Sequence, residues 1–155
     1  MTSPSVSFDR MTIQDVDPAV LIDEATQAAL WTPQMFLSEI AAGRRSFCFV
    51  ARLEGRVVGY LIFRMILDEL HFMNVAVHPA WQRRGLGRAL IHFALSVGRR
   101  EGMKSATLEV RAGNLQAQRF YQKLGFRKVG TRKGYYAVPK EDAFLLTYNG
   151  DWGEG

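Results

Sequence analysis

Cysteine is nearly missing from this chain: Cys48 stands alone among 155 residues, so no internal disulfide can form. That fits a reducing compartment. Cys48 sits in the strand-like run Phe47-Cys48-Phe49-Val50-Ala51, which predicts a packed side chain rather than a nucleophile. Long apolar runs are missing too; charges interrupt every hydrophobic stretch, which excludes a bilayer-crossing helix. The opening MTSPSVSFDR lacks the basic-then-apolar order of a secretion signal, and a cytoplasmic location is expected. The three histidines, His71, His78 and His92, have no metal-ligand spacing, and no metal is expected. Basic residues are not interleaved with aromatic ones and no reader motif occurs, so no direct contact with nucleic acid is expected.

Acidic residues are scarce in one part of the chain only. Arg83 to Lys140 holds 14 basic and 2 acidic residues, a balance of +12, whereas the segments on either side are net acidic. The overall +5 therefore conceals an anion-attracting half, and a phosphate-bearing cofactor accounts for it at least as well as a nucleic acid.

At this length one domain with a single sizeable core is expected over residues 1–148, followed by an acidic flexible tail at 149–155 with Trp152 as its one potential anchor. Asp17 followed by Pro18 predicts a helix start, running to about Ala29, and Thr32-Pro33 predicts a second one, closed by Gly43. Ser46–Leu53 and Val57–Leu67 flank Glu54-Gly55 and read as a hairpin, with a third strand at Leu70–Val77. Leu86, Ala89, Leu90, Phe93, Ala94 and Val97 then form a helical stripe ending near Gly102. Ala106–Val110 is a strand, Asn114 caps a helix with Ala117, Phe120, Tyr121 and Leu124 inward, and Gly125 ends it. Two short strands, about Arg127–Thr131 and Ala143–Tyr148, complete the order β-αα-βββ-α-β-α-ββ. This is an α/β fold with a mixed, mostly antiparallel sheet and helices on both faces.

The strongest chemical signal is Gln82-Arg83-Arg84-Gly85-Leu86-Gly87, between a strand and a long amphipathic helix. Gly85 and Gly87 let backbone approach a ligand closely. The helix start offers unpaired N–H groups and a positive dipole end, and Arg83, Arg84 and Arg88 add charge, so the segment predicts a pyrophosphate cradle. It lacks the third glycine of a dinucleotide fingerprint and the Gly-Lys-Ser/Thr of a nucleotide P-loop.

These residues resemble the GCN5-related N-acetyltransferase (GNAT) superfamily, whose coenzyme A signature is Gln/Arg-x-x-Gly-x-Gly/Ala. Asn74-Val75-Ala76-Val77-His78-Pro79 is similar to the strand that precedes it in that family. The resemblance implies acetyl-CoA as cofactor, held by Val75, Ala76, Val77, Arg83, Arg84, Gly85, Leu86, Gly87, Arg88, Asn114 and Tyr121. A finer resemblance, from about Met11 to Tyr148, is to the RimI-type ribosomal-protein-alanine N-acetyltransferases. It rests on Leu108-Glu109-Val110-Arg111-Ala112-Gly113-Asn114, Phe120 to Phe126, Tyr135-Tyr136 and Glu141-Asp142-Ala143. It implies acetyl transfer to a peptide or protein N-terminal α-amine by direct attack in a ternary complex, a small-subunit ribosomal protein being one candidate acceptor. It also implies Glu109 as general base, Tyr121 as general acid, and Trp31, Glu69, Tyr135 and Tyr136 on the acceptor side. Leu30 departs from the pattern, standing where that group commonly has proline.

Alternatives remain at this stage. Glu109 could instead partner Arg111 or a neighbouring strand, and His71, on the strand face of Val75 and Val77, is a rival base with an ordinary pKa near 6.5. The acceptor could be a lysine side chain or a small amine, or the chain could be a coenzyme A-binding module without catalysis. No membrane partner is expected, and a monomer or weak homodimer is.

Overall fold

The computed structural model describes residues 5–150; the residues at either end, including Trp152, lie outside it. The strands are β1 (Val6–Arg10), β2 (Ser46–Leu53), β3 (Arg56–Ile66), β4 (Glu69–Val77), β5 (Ser105–Arg111), β6 (Phe126–Ala137) and β7 (Lys140–Tyr148). The helices are α1 (Val16–Thr26), α2 (Pro33–Ala41), α3 (Leu86–Arg100) and α4 (Leu115–Lys123). The strands form one mixed sheet in the order β1-β2-β3-β4-β5-β7-β6, with β4 and β5 parallel. Antiparallel pairs join β1 to β2, β2 to β3, β5 to β7 and β6 to β7. The expected element order holds. Contacts divide the chain into two compact units: residues 1–64 with 73–94, and residues 65–72 with 95–155.

In the first unit β2 and β3 are buried on both faces, and period-two alternation sends successive side chains opposite ways. Cys48, Val50, Tyr60 and Ile62 join Ala19, Ile22 and Phe36 in the core under α1 and α2. Phe49 points the other way, to Phe93 of α3, at 4.9 Å between ring centroids. Cys48 is thus a buried packing residue, and burial pushes its thiol pKa up.

Both ends of the first helix and the buried face of α3 differ from those read in the sequence. The first helix begins at Val16, not after Asp17, because it continues directly from a 3-10 turn at Ile13–Asp15 that Thr12 and Asp15 cap reciprocally. It ends at Thr26, where Gln27 turns left-handed at φ 57°. On α3, Ala89 is exposed, while Ile91 and Leu95 are buried beside Leu86, Leu90 and Ala94. The stripe is therefore turned toward Ile91 and Leu95, and the larger apolar side chains decide it.

The second unit centres on Phe126, which is 2% exposed and surrounded by the rings of Phe72, Tyr121 and Tyr148. Here β6 and β7 are longer than the two short strands expected. β6 shows almost no inward alternation, and its pairing with β7 shifts register at Lys128/Gly130 and at Arg132/Tyr136. Such irregularities erase the period-two pattern that marks a strand in sequence.

Candidate active site

At the end of β4, His78 N–H donates to Val58 O (2.8 Å), holding the last strand residues against β3. Gly59 lies under this stretch, where a Cβ would come within 3.1 Å of Ala76 O. Ala76 faces the core, so only its backbone is available to a ligand; Val75 is half-buried and Val77 buried.

The chain then makes one short helical turn, Pro79–Trp81. Gln82 Nε2 reaches back to Val77 O at 3.0 Å, so this side chain fastens strand to turn. Arg83 and Gly85 are left-handed at φ 64° and 84°. Gly85 is a position where glycine is needed: its φ disfavours other residues, and a Cβ there would enter open space. Ala89 N–H donates to Gly85 O (3.0 Å), so the N–H groups of Leu86, Gly87 and Arg88 precede the first bond of α3. Arg84 covers the ring of Trp81 at 4.8 Å. Exposed backbone, a helix start and the guanidinium groups of Arg83, Arg84 and Arg88 make a donor set suited to a pyrophosphate.

Within the second unit, Glu109 on β5 forms an ion pair with Arg132 of β6 (3.3 Å). Arg111 does not hold Glu109. It binds Glu141 Oε1 (3.3 Å) and the carbonyls of Val138 and Pro139, with its guanidinium 4.0 Å from the centre of the Tyr136 ring. Tyr135 and Tyr136 meet edge to face at 5.0 Å. Burial raises the pKa of Tyr135, and the nearby Glu109 charge adds to the rise. Burial and the neighbouring Tyr135 push Tyr136 up to about 12. On α4, Tyr121 contacts the rings of Phe120 and Phe126, and burial together with Tyr136 pushes it up to about 12. Its phenol therefore stays protonated throughout the neutral range. Asn114 Oδ1 caps α4 by accepting from Ala117 N–H (3.0 Å), so its Nδ2 is the group left to face outward chemistry.

Two further site residues of the sequence reading come together: His71 Nε2 lies 2.8 Å from Glu69 Oε1, two residues apart on one face of β4. Trp31, in the first unit, packs edge to face on Phe36 at 5.1 Å. Among the described residues no group of three His, Cys, Asp or Glu side chains is arranged for a metal ion, and no helix is long and apolar enough to cross a membrane.

The sequence reading missed several supports. Glu141 Oε2 accepts from Gly113 N–H (2.6 Å), and Gln118 Nε2 donates to the carbonyls of Arg111 and Ala112, so together they brace the turn between β5 and α4. Asp142 accepts from Gly134 N–H (2.8 Å), tying down an irregular stretch of β6. Asp23, wholly buried, was also missed. Its spacing with Ala19 and Ile22, at i+4 and i+1, placed it on the inward face of α1 and was the available signal.

The model of the acetyltransferase (GNAT) family matches residues 16–126. The chain belongs to the acetyltransferase (GNAT) family. It is 34% identical over 134 residues to the [ribosomal protein bS18]-alanine N-acetyltransferase of Escherichia coli K12, covering 85% of this chain and 89% of that protein. The crystal structure of the Escherichia coli ribosomal-protein-S18-alanine N-acetyltransferase superposes with a TM-score of 0.82 at 30% identity, covering 97% of this chain and 98% of that one. Ard1 from Thermoplasma volcanium superposes with a TM-score of 0.83 at 26% identity, covering 92% and 95%. The GNAT signature residues Gln82, Gly85 and Gly87 thus stand at the strand-to-helix turn just described.

Proposed function

We propose that this GNAT chain transfers the acetyl group of acetyl-CoA to the N-terminal α-amine of a protein, a ribosomal protein beginning with alanine being the favoured acceptor, in the cytoplasm. The reading is carried by the gathering in the second unit of the Glu109 carboxylate with the phenols of Tyr135, Tyr136 and Tyr121. The likeness to the bS18-alanine acetyltransferase over most of both chains supports it.

Acetyl-CoA, when bound, supplies a thioester carbonyl open to attack by an amine. The backbone from Gln82 to Arg88 and the side chains of Arg83, Arg84 and Arg88 take its pyrophosphate, and the backbone of Val75 to Val77 orients the acyl end. Asn114 offers its Nδ2 to the cofactor. A peptide α-amine has a pKa near 8, so at neutral pH a proton has to leave before it can attack. Glu109 accepts that proton, directly or through a water. To do so its carboxylate turns from Arg132, whose side chain is 54% exposed. The Glu109 side chain itself is only 22% exposed, so the turn costs more than the ~0–1 kcal/mol of a fully exposed pair, though the exposed Arg132 end is free to move away.

Tyr121 donates its O–H to the departing sulfur. Full transfer from a phenol at about 12 to a thiolate with an ordinary pKa near 8.5 is uphill. Its main contribution is therefore a hydrogen bond to the developing charge rather than a completed proton transfer. The acceptor residues are Trp31 in the first unit and Glu69, Tyr135 and Tyr136 in the second: an acid attracts an amine, and aromatic rings hold a peptide.

The test compares Glu109→Gln with Arg132→Ala. Glu109→Gln is expected to lower kcat on a free-amine peptide about 100-fold or more while coenzyme A affinity stays within about twofold. Arg132→Ala is expected to leave kcat within about threefold. Equal losses in the two variants would make Glu109 a structural ion-pair partner and remove it as the base.

A further inference from the structure

We propose that Asp23, buried under the segment that carries Trp31, is a positioning residue for the acceptor: its carboxylate fixes the backbone of Ala29–Trp31 and, through Asn74, fastens it to β4 beside Val75. This rests on the acceptor reading of Trp31 given above.

The geometry is a buried carboxyl with both oxygens fully used. Asp23 is 0% exposed. Its Oδ1 accepts from the N–H groups of Ala29 (2.9 Å) and Leu30 (2.7 Å), and its Oδ2 accepts from Trp31 N–H (3.0 Å) and Asn74 Nδ2 (3.1 Å). Three consecutive backbone donors are thereby aimed at one side chain, and the fourth comes from the strand of the proposed acyl site. Asn74 Oδ1 in turn accepts from Tyr60 O–H (2.9 Å), and the Tyr60 ring packs on Phe36, the same ring that supports Trp31. Burial and the Asp23 charge push the Tyr60 phenol far above its ordinary pKa, so it serves only as a donor.

A buried carboxylate is costly unless every lone pair is used, and here the pattern of donors dictates the fold of the segment. Leu30 adopts φ 58°, a left-handed conformation unusual for leucine, which turns its N–H into the carboxylate. Proline here would have neither that φ nor an N–H. The segment preceding Trp31 is therefore held in this turn by the Asp23 carboxylate.

Removing the device should loosen Trp31 without disturbing the pyrophosphate turn. Asp23→Asn places an amide against backbone donors and is expected to raise the acceptor KM at least tenfold, with the acetyl-CoA KM within twofold. Because that variant alters a buried site and can fail to fold, Leu30→Pro is made alongside it. Leu30→Pro removes one donor and the left-handed turn from a partly exposed position, and the same split in KM is expected. Leu30→Gly keeps both the N–H and the φ, and should shift the acceptor KM less than threefold.

The proposal is overturned if Leu30→Pro leaves the acceptor KM unchanged, if the acetyl-CoA KM rises with it, or if Leu30→Gly has the same effect. The function reading fails separately. Should the unaltered chain acetylate only lysine side chains, the α-amine assignment falls, while the same KM ratio measured on the lysine peptide still decides the role of Asp23.

Discussion

At the scale of single residues, Tyr121 carries the clearest consequence of its surroundings. An exposed tyrosine ionises near 10, whereas burial and Tyr136 push Tyr121 up to about 12. A group with a raised pKa keeps its proton to higher pH, so the hydrogen bond it donates persists through pH 10. The acceptor amine acts in the opposite sense: its free fraction grows as pH rises toward 8. The rate on a peptide acceptor is therefore expected to rise with pH, reach half its maximum near 8, level off near about 9 and stay flat to pH 10. Tyr121→Phe should lower that plateau by about 10- to 100-fold without changing its shape, since general-acid contributions fall in the range of 10² and above and a hydrogen bond alone gives less. A wild-type decline centred near pH 10 that disappears in Tyr121→Phe would show the phenol titrating as an ordinary one.

Residue identity was also where the sequence was most legible. Gln82, Gly85 and Gly87 announced their turn because glycine spacing before a helix is a local signal. The partners of Glu109 and Arg111 were not legible: Arg132 and Glu141 lie on strands brought alongside only by folding. Nor could spacing reveal that Asp23 has Asn74 as partner, 51 residues away.

At the scale of elements, α2 is fastened to the sheet by one acid. Glu39 accepts from Ser46 of β2 (2.7 Å) and from Arg64 of β3 (3.0 and 2.6 Å). Burial alone would raise its pKa, but the hydrogen bonds of Arg64 and Ser46 and the Arg64 charge outweigh it, and the net shift is downward. A depressed folded-state pKa stabilises the fold above the unfolded value near 4.3, and that contribution is lost as pH falls through the lower folded one. Glu39→Gln should thus cost about 2 kcal/mol at pH 7, lowering Tm by roughly 5 °C. The difference from wild type should shrink below about pH 4, as the native carboxyl takes up its proton. Thermal melts across pH 3 to 7 check this, and a Tm difference that is constant with pH would contradict it.

Elements were legible wherever a cap or a tight turn marked their ends. The Thr32 cap with Pro33 gave α2 its start to the residue, and Thr32 Oγ1 does accept from Met35 N–H. The β2–β3 hairpin likewise fell where Glu54-Gly55 put it. The long β6 did not declare itself. Its charged, exposed face and its register shifts leave no alternation, and its pairing with β7 is a property of the fold rather than of either segment.

At the scale of the whole molecule, the charge excess between Arg83 and Lys140 includes Arg83, Arg84 and Arg88, at the turn and start of α3. It also includes Arg111 and Arg132, which form ion pairs with Glu141 and Glu109. A basic field of this kind draws anionic ligands at low salt and weakens within a Debye length of about 8 Å at physiological ionic strength. It says nothing about which amine is acetylated. That choice is the central claim, and the most direct measurement is coenzyme A release from acetyl-CoA with short peptides differing in their first residue, each paired with an acetyl-blocked twin. Release with free Ala- or Ser-starting peptides, and none with the blocked twins, is the predicted result. Release that persists on blocked, lysine-containing twins would contradict the account and move the acceptor to side-chain amines.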